Sequence, residues 1–476
     1  MKSYNIVSRK NKLSSVALRL FTYALCLMPY ACFPQNTTSP YSRYGIGEMH
    51  TPVFTPAFSM GGLGVAMQND QIKNPFNINM INPASYAHTD SVCVFEVGGI
   101  VSSTAFRTAS SDSASYGKNV NINYLAFLFP IKKWWASSLS LTPYSSVGYN
   151  LIDSRDTANI GAVDYRYTGN GGINRVNWGN GFRKGNFSLG VNASFLFGYI
   201  NNIRTVSYPE DTSKAYDVAF EKSIRIRDLY LNYGMQYTIK IDSSLKKREK
   251  GKGKDVLKKR KELEDKIRIV LGATFAPSQN VKSSLDLFAY TFRYDAGIFH
   301  IRDTLQYAFD QKDKIRLPVS MAYGISFKKG NKWLIGTEYS STTWSQYSMF
   351  GAKSELKNNM TARIGLQYIP GGEGKDKVSA YWRSVNYRAG FRYSDGNLQL
   401  KGIDISEYAL SFGFGFPVAK YGMNKGKDIQ YSMINVCVEL GKSGTTDNGL
   451  IAQRFIKVMI GLTMNDRQWF RIRKID

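Results

Sequence analysis

Catalysis needs nucleophiles, bases or metal ligands held within reach of one another, and this sequence offers few of them. Its 476 residues include three histidines, His50, His88 and His300, and four cysteines, Cys26, Cys32, Cys93 and Cys437. So sparse a set leaves little room for a zinc, haem or iron–sulfur centre, and no metal or other cofactor is expected. A serine hydrolase needs a histidine in reach of both its serine and an orienting polar group. His50 and His88 lie in a Gly- and Pro-rich segment and His300 in a long connection, so no shared face gathers them and no enzyme is expected. The residues that can bind are basic or aromatic. Arg363, Arg388, Arg392 and Lys457 fall on the small, polar side of alternating segments. There they can attract a carboxylate head group or form a structural ladder with acids such as Glu338 and Glu439. Phe288, Tyr290, Phe292 and Phe299 belong to the longest connection, where they can fold over a mouth as an apolar pocket or simply extend strands beyond a membrane.

The elements that must position these residues read as strands. From about residue 91, segments of ten or so residues alternate with period two and are parted by Gly, Asn, Asp, Lys and Pro clusters. In 187–199 one face is Phe187, Leu189, Val191, Ala193, Phe195, Phe197 and Tyr199, and the other is mostly Ser, Gly and Asn. The same division recurs in 228–241, 317–327 and 456–464. A soluble sandwich also alternates, but here the oily face is almost purely apolar and the other face small or polar. Lipid in place of a second sheet accounts for that, with the polar face lining a lumen. The fold class expected is all-β: a transmembrane barrel of fourteen antiparallel strands. They are placed near 91–107, 119–130, 134–149, 161–182, 187–203, 223–241, 266–276, 316–328, 333–344, 359–369, 384–394, 405–417, 428–441 and 451–464. Short and long connections alternate, as the two ends of such barrels require. Cys93 and Cys437 then sit two strands apart across the closing strand, roughly 9 to 10 Å, beyond disulfide reach.

The first 35 residues read as a secretory signal peptide. Basic residues up to Arg19 precede an apolar stretch, LFTYALCLMPYACF, too short to span a bilayer as a helix. The formal charge of +26 invites a nucleic-acid reading, but five of the positives lie in this leader. Eleven more lie in a basic turn, 243–266, read as a solvated periplasmic excursion or a contact for an anionic partner. Export and the lack of interleaved aromatics exclude nucleic acid. Residues 36–90 are too polar to cross lipid and too rich in Gly and Pro for a helix. A lumen of fourteen strands is too wide for wall side chains to fill, so this segment is expected to plug it. The barrel then covers 91–464, and 465–476 form a polar periplasmic tail.

The chain resembles the FadL-type outer-membrane transporters of hydrophobic compounds, particularly forms found in Bacteroidetes. The residues that carry the resemblance are Gly61, Gly62, Gly64, Val65 and Ala66, followed by Asn82, Pro83 and Ala84. Downstream it rests on FPIKKWW, LTPYSSVGY, GNGGINRVNWGNGF, IRLP and KWLIGTEYSSTTWSQY. The resemblance implies an amino-terminal hatch and a lateral opening at a kinked third strand. It also implies passive uptake of compounds such as long-chain fatty acids in the outer membrane of a Gram-negative cell. Asn82, Pro83 and Ala84 would sit between hatch and barrel near the opening. Pro143, which cannot donate to a ladder, would break pairing in the third strand or mark its end. The implied partners are outer-membrane lipids and a hydrophobic small molecule. Some relatives serve instead as scaffolds or shuttles in secretion, and the alternative partner is then a periplasmic or secretion-system protein.

Overall fold

The computed structural model describes residues 39–68, 77–89, 92–109, 114–158, 161–208, 215–241, 267–295, 298–353, 356–371, 381–420 and 430–466. The leader, the basic turn 243–266 and nearly all of the tail lie outside the described residues. Fourteen antiparallel strands form the wall. They are β1 (Cys93–Arg107), β2 (Ser115–Lys132), β3 (Trp135–Thr157), β4 (Gly161–Lys184), β5 (Phe187–Ser207), β6 (Asp217–Ile241), β7 (Ile267–Ala276), β8 (Ser320–Lys329), β9 (Trp333–Thr342), β10 (Asn359–Tyr368), β11 (Asn386–Ser394), β12 (Glu407–Lys420), β13 (Gln430–Ser443) and β14 (Ala452–Asp466). Each pairs with its neighbour in sequence, and β1 pairs with β14 from Cys93↔Asp466 to Arg107↔Ala452, which closes the ring. Closure is what a sheet in hydrocarbon needs, since an open sheet would leave two whole edge strands without hydrogen-bond partners.

Alternation decides which face meets lipid. In β9, Leu334, Gly336 and Glu338 point inward and are buried, while Trp333, Ile335 and Tyr339 are exposed. In β5 and β6, Leu189, Tyr199, Leu229, Tyr233, Met235 and Tyr237 are likewise exposed, and Ser188, Asn192, Ser194, Gln236 and Thr238 are buried. The oily face read from the sequence is therefore the outer one. Aromatic pairs gather at the short-turn end: Trp333 on Tyr368 at 4.2 Å, Trp134 and Trp135 on Phe182, and Phe414 on Phe416. Such rings suit the membrane–water interface. Cys93 and Cys437 are not bridged to each other, and β14 runs between their strands.

Two features depart from the sequence reading. Strands β3 and β6 run well beyond the expected limits of 134–149 and 223–241, because polar residues above the lipid still pair with their neighbours. The connection 277–315 is a hairpin rather than a loop. Its arms, Gln279–Asp295 and Ile298–Leu317, pair along almost their whole length, and the first also pairs with the outer half of β6. The hairpin thus prolongs the wall outward.

Residues 39–68 and 77–89 pack against the inward face of the wall. Short 3-10 turns at Pro40–Arg43 and Pro83–His88 and one helical turn at Thr55–Phe58 bracket extended stretches. The segment starts at the outer end, where Tyr41 bonds Ile451 and the Ser39 N–H donates to the Gly148 carbonyl. It then descends past β14, β13 and β12 and ends low against β4, β5 and β6. Wall glycines receive it. A Cβ on Gly190 would meet the backbone of Pro83 and Ala84, one on Gly272 the Val65 carbonyl, and one on Gly390 the backbone of Met60 and Gly61. At these positions no other residue fits without displacement.

Candidate functional site: a lumen cavity and a break in the wall

Above the inner segment is a cavity of 1510 Å³. Its floor and sides mix apolar residues such as Met49, Phe58, Tyr144, Phe197, Trp344 and Phe455 with amides, hydroxyls and ions. Among the described residues three carboxylates line it, Glu48, Glu338 and Glu407, together with three cations, Arg363, Arg392 and Lys457. The ions neutralise one another. Arg392 Nη2 lies 2.6 Å from Glu407 Oε1 and 3.2 Å from Glu439 Oε1, and Lys457 Nζ is 3.9 Å from Glu48 Oε1. Arg363 donates to Ser340 Oγ at 2.9 Å, opposite Glu338 across the β9–β10 ladder. Glu338 Oε1 accepts the Gly64 and Val65 N–H groups, which ties the inner segment to β9. Arg388 does not reach the cavity; it is buried against Gln367 and Asn435, at 2.7 and 2.9 Å. Arg363, Arg392 and Lys457 therefore stand beside acids and Arg388 between amides, and two of the three named arginines face the cavity.

The wall is broken beside this cavity. β2 and β3 pair only from Lys132↔Trp135 to Leu125↔Leu141. Above that point β2 continues to pair with β1, and β3 with β4, but not with each other. The cause is local. Pro143 has no N–H to donate, and the β3–β4 register slips between Pro143 and Ser145, so β3 bends away. The inner segment takes up the freed edge of β3: Glu48 and Met49 pair with Ser146 and Ser145, and the His50 N–H donates to the Tyr144 carbonyl at 2.9 Å. Among the described residues no strand covers the facing edge of β2 from Ser115 to Tyr124. Residues of both lips, Asn119, Asn121, Ile122 and Asn123 on one side and Pro143, Ser145 and Ser146 on the other, line the cavity.

The structure separates the residues expected at the gate. Pro143 is at the break, but Asn82, Pro83 and Ala84 lie low in the lumen on the far side of β4. Asn82 is completely buried and caps the turn Pro83–His88, its Oδ1 accepting the Ala84 N–H. Its Nδ2 donates to the carbonyls of Val65 at 2.6 Å and Met235 at 3.1 Å. It is a fastening rather than a lip. The aromatic quartet is also elsewhere. Phe288 and Tyr290 pair with Glu221 and Ala219, odd positions of β6, a strand whose odd residues face outward at Tyr233, Met235 and Tyr237. Phe288, Tyr290, Phe292 and Phe299 therefore stack on one another on the outward side of the hairpin, where Tyr290 and Phe292 are buried with Ala219 in a small cluster of their own, and none lines the cavity. The histidines are dispersed. His50 bonds Ser146 and His88 bonds Ser188, with Arg183 rather than an acid near the other ring nitrogen of His88. His300 stands on the hairpin.

The family model of BamG matches residues 17–253 and 252–476. The chain belongs to the BamG family. No curated protein matches it. Among solved structures, a deletion mutant of the monoaromatic hydrocarbon channel TodX is 13% identical, with 87% of this chain and 99% of that one covered and a TM-score of 0.52. The toluene transporter TodX of Pseudomonas putida is 13% identical over 88% and 98% of the two chains, with a TM-score of 0.49. A FadL homologue from Pseudomonas aeruginosa is 11% identical over 88% and 99%, also at 0.49. Likeness at 13% identity and a TM-score of 0.52 establishes the barrel fold alone, and not a substrate.

Proposed function

We propose that this barrel passively takes up hydrophobic and amphipathic compounds, long-chain fatty acids among them, and releases them between cavity and lipid through the break between β2 and β3. The observation that carries the reading is the end of the β2–β3 ladder at Leu125↔Leu141, beside a cavity lined by residues of both lips. An apolar chain moving from water to such a path gains about 25 cal/mol per Å² of apolar surface buried. The inner segment blocks straight descent, because it is bonded to strands around the ring, so a sideways route needs the least rearrangement. No chemical step is required.

Cysteines at both lips test the route. Had the ladder continued, Asn121 would stand opposite Ser145. In an Asn121→Cys/Ser145→Cys variant, oxidation is expected to lower uptake of radiolabelled oleate into proteoliposomes at least tenfold, with recovery on reduction. Uptake equal in both redox states would remove the opening from the path.

A second reading, a scaffold that holds a protein partner in secretion, is favoured by one observation: the inner segment is fastened rather than poised to move. Purification in mild detergent separates the two, since a scaffold brings a stoichiometric protein and a conduit does not.

A further inference from the structure

Two buried side-chain oxygens at the break have no hydrogen-bond partner among the described residues, Asn119 Oδ1 on β2 and Ser145 Oγ on β3. The residues are 8% and 2% exposed, and both line the cavity. Unpaired buried polar atoms are costly, and although others occur elsewhere among the described residues, these two stand on opposite lips of one opening, where a ligand can satisfy them. Beside them the uncovered edge of β2 presents further backbone groups, and Asn121 adds an amide. A slot lined by amides and hydroxyls is poor solvent for bare hydrocarbon.

Charge narrows the ligand further. Among the described residues the cavity behind the slot is lined by three carboxylates and three cations, two of these pairs in contact, so it offers no net formal charge to attract a lone carboxylate. We infer that the slot between β2 and β3 is a head-group subsite. It takes amphiphiles whose neutral or zwitterionic heads carry N–H or O–H donors, with Asn119 and Ser145 accepting from the head while the tails stay in lipid. The inference rests on the reading that the break admits a ligand from the membrane. It adds that the head, rather than the tail, is recognised.

The chemistry can be isolated in one pair of lipids. Phosphatidylethanolamine and phosphatidylcholine with identical acyl chains differ in having three ammonium N–H donors or none. Native mass spectrometry of the full-length protein in detergent, titrated with each lipid and with oleate, is expected to show phosphatidylethanolamine bound at least fivefold more tightly than either of the others. In an Asn119→Ala/Ser145→Ala variant that preference should fall to parity. Neither oxygen has a hydrogen-bond partner among the described residues, so the empty barrel should still fold and keep its heat-modifiable mobility. Equal affinity of the wild type for both phospholipids, a stronger affinity for oleate, or a preference that survives in the variant would each overturn the inference. If oleate uptake remains sensitive to the lip cross-link while head-group preference is absent, the conduit stands and only the subsite fails.

Discussion

At the scale of single residues, Asn82 and His88 fasten the end of the inner segment. Asn82→Ala removes two strong donations to carbonyls and the cap on Ala84, leaving buried groups unpaired at a cost of about 1–3 kcal/mol. The expected result is a barrel that still inserts and shifts on heating, with residues 77–89 cut faster by added protease; unchanged cleavage would mean that the fastening lies elsewhere. His88 adds a dependence on pH. Burial first, then the charges of Arg183 and Lys240, push it from its ordinary value of 6.5 down to about 3. Between those values the unfolded segment binds a proton that the seated one refuses, so seating is full above pH 6.5 and weakens as pH falls. At pH 5 the loss is about 2 kcal/mol. Protease sensitivity of the segment should therefore rise from pH 7.5 to 5, and less so in His88→Asn; the same rise in both proteins would assign the effect to other groups.

At the scale of elements, the wall strands were plain in the sequence because lipid demands an unbroken apolar face and a lumen tolerates small polar ones. Leu229 to Ile241 show this residue by residue. The glycines of the small face could be seen but not their purpose, since what meets Gly190 or Gly272 comes from a segment about a hundred residues or more away. The break was legible only through Pro143, and its other lip was not, because Asn119, Asn121 and Asn123 resemble any lumen-facing amides. The hairpin was one of two readings that the sequence left open, for a different reason. Above the membrane the outward face needs no fixed polarity, so 279–317 mixes aromatics and charges, and only pairing with β6 shows that it continues the wall. Since its aromatic cluster faces away from the cavity, deleting residues 285–308 and bridging the ends with glycine and serine should leave oleate uptake within twofold of wild type in proteoliposomes. A tenfold fall would return those aromatics to the transport path.

At the scale of the whole molecule, the described chain lies partly inside the ring that its later strands build. Thr55 to Gly64 touch β9 to β14, and Asn82 to His88 touch β4 to β7. Both sets of contacts are made with strands that come later in the chain. Assembly accordingly has a calendar: the open sheet must curl around its own beginning, and the β1–β14 seam is sewn last. Pulse-labelled cysteine pairs, one across the seam and one between Gly64 and β9, should cross-link in that sequence, interior before seam. The reverse order would mean that the core of this barrel is stuffed after the fact.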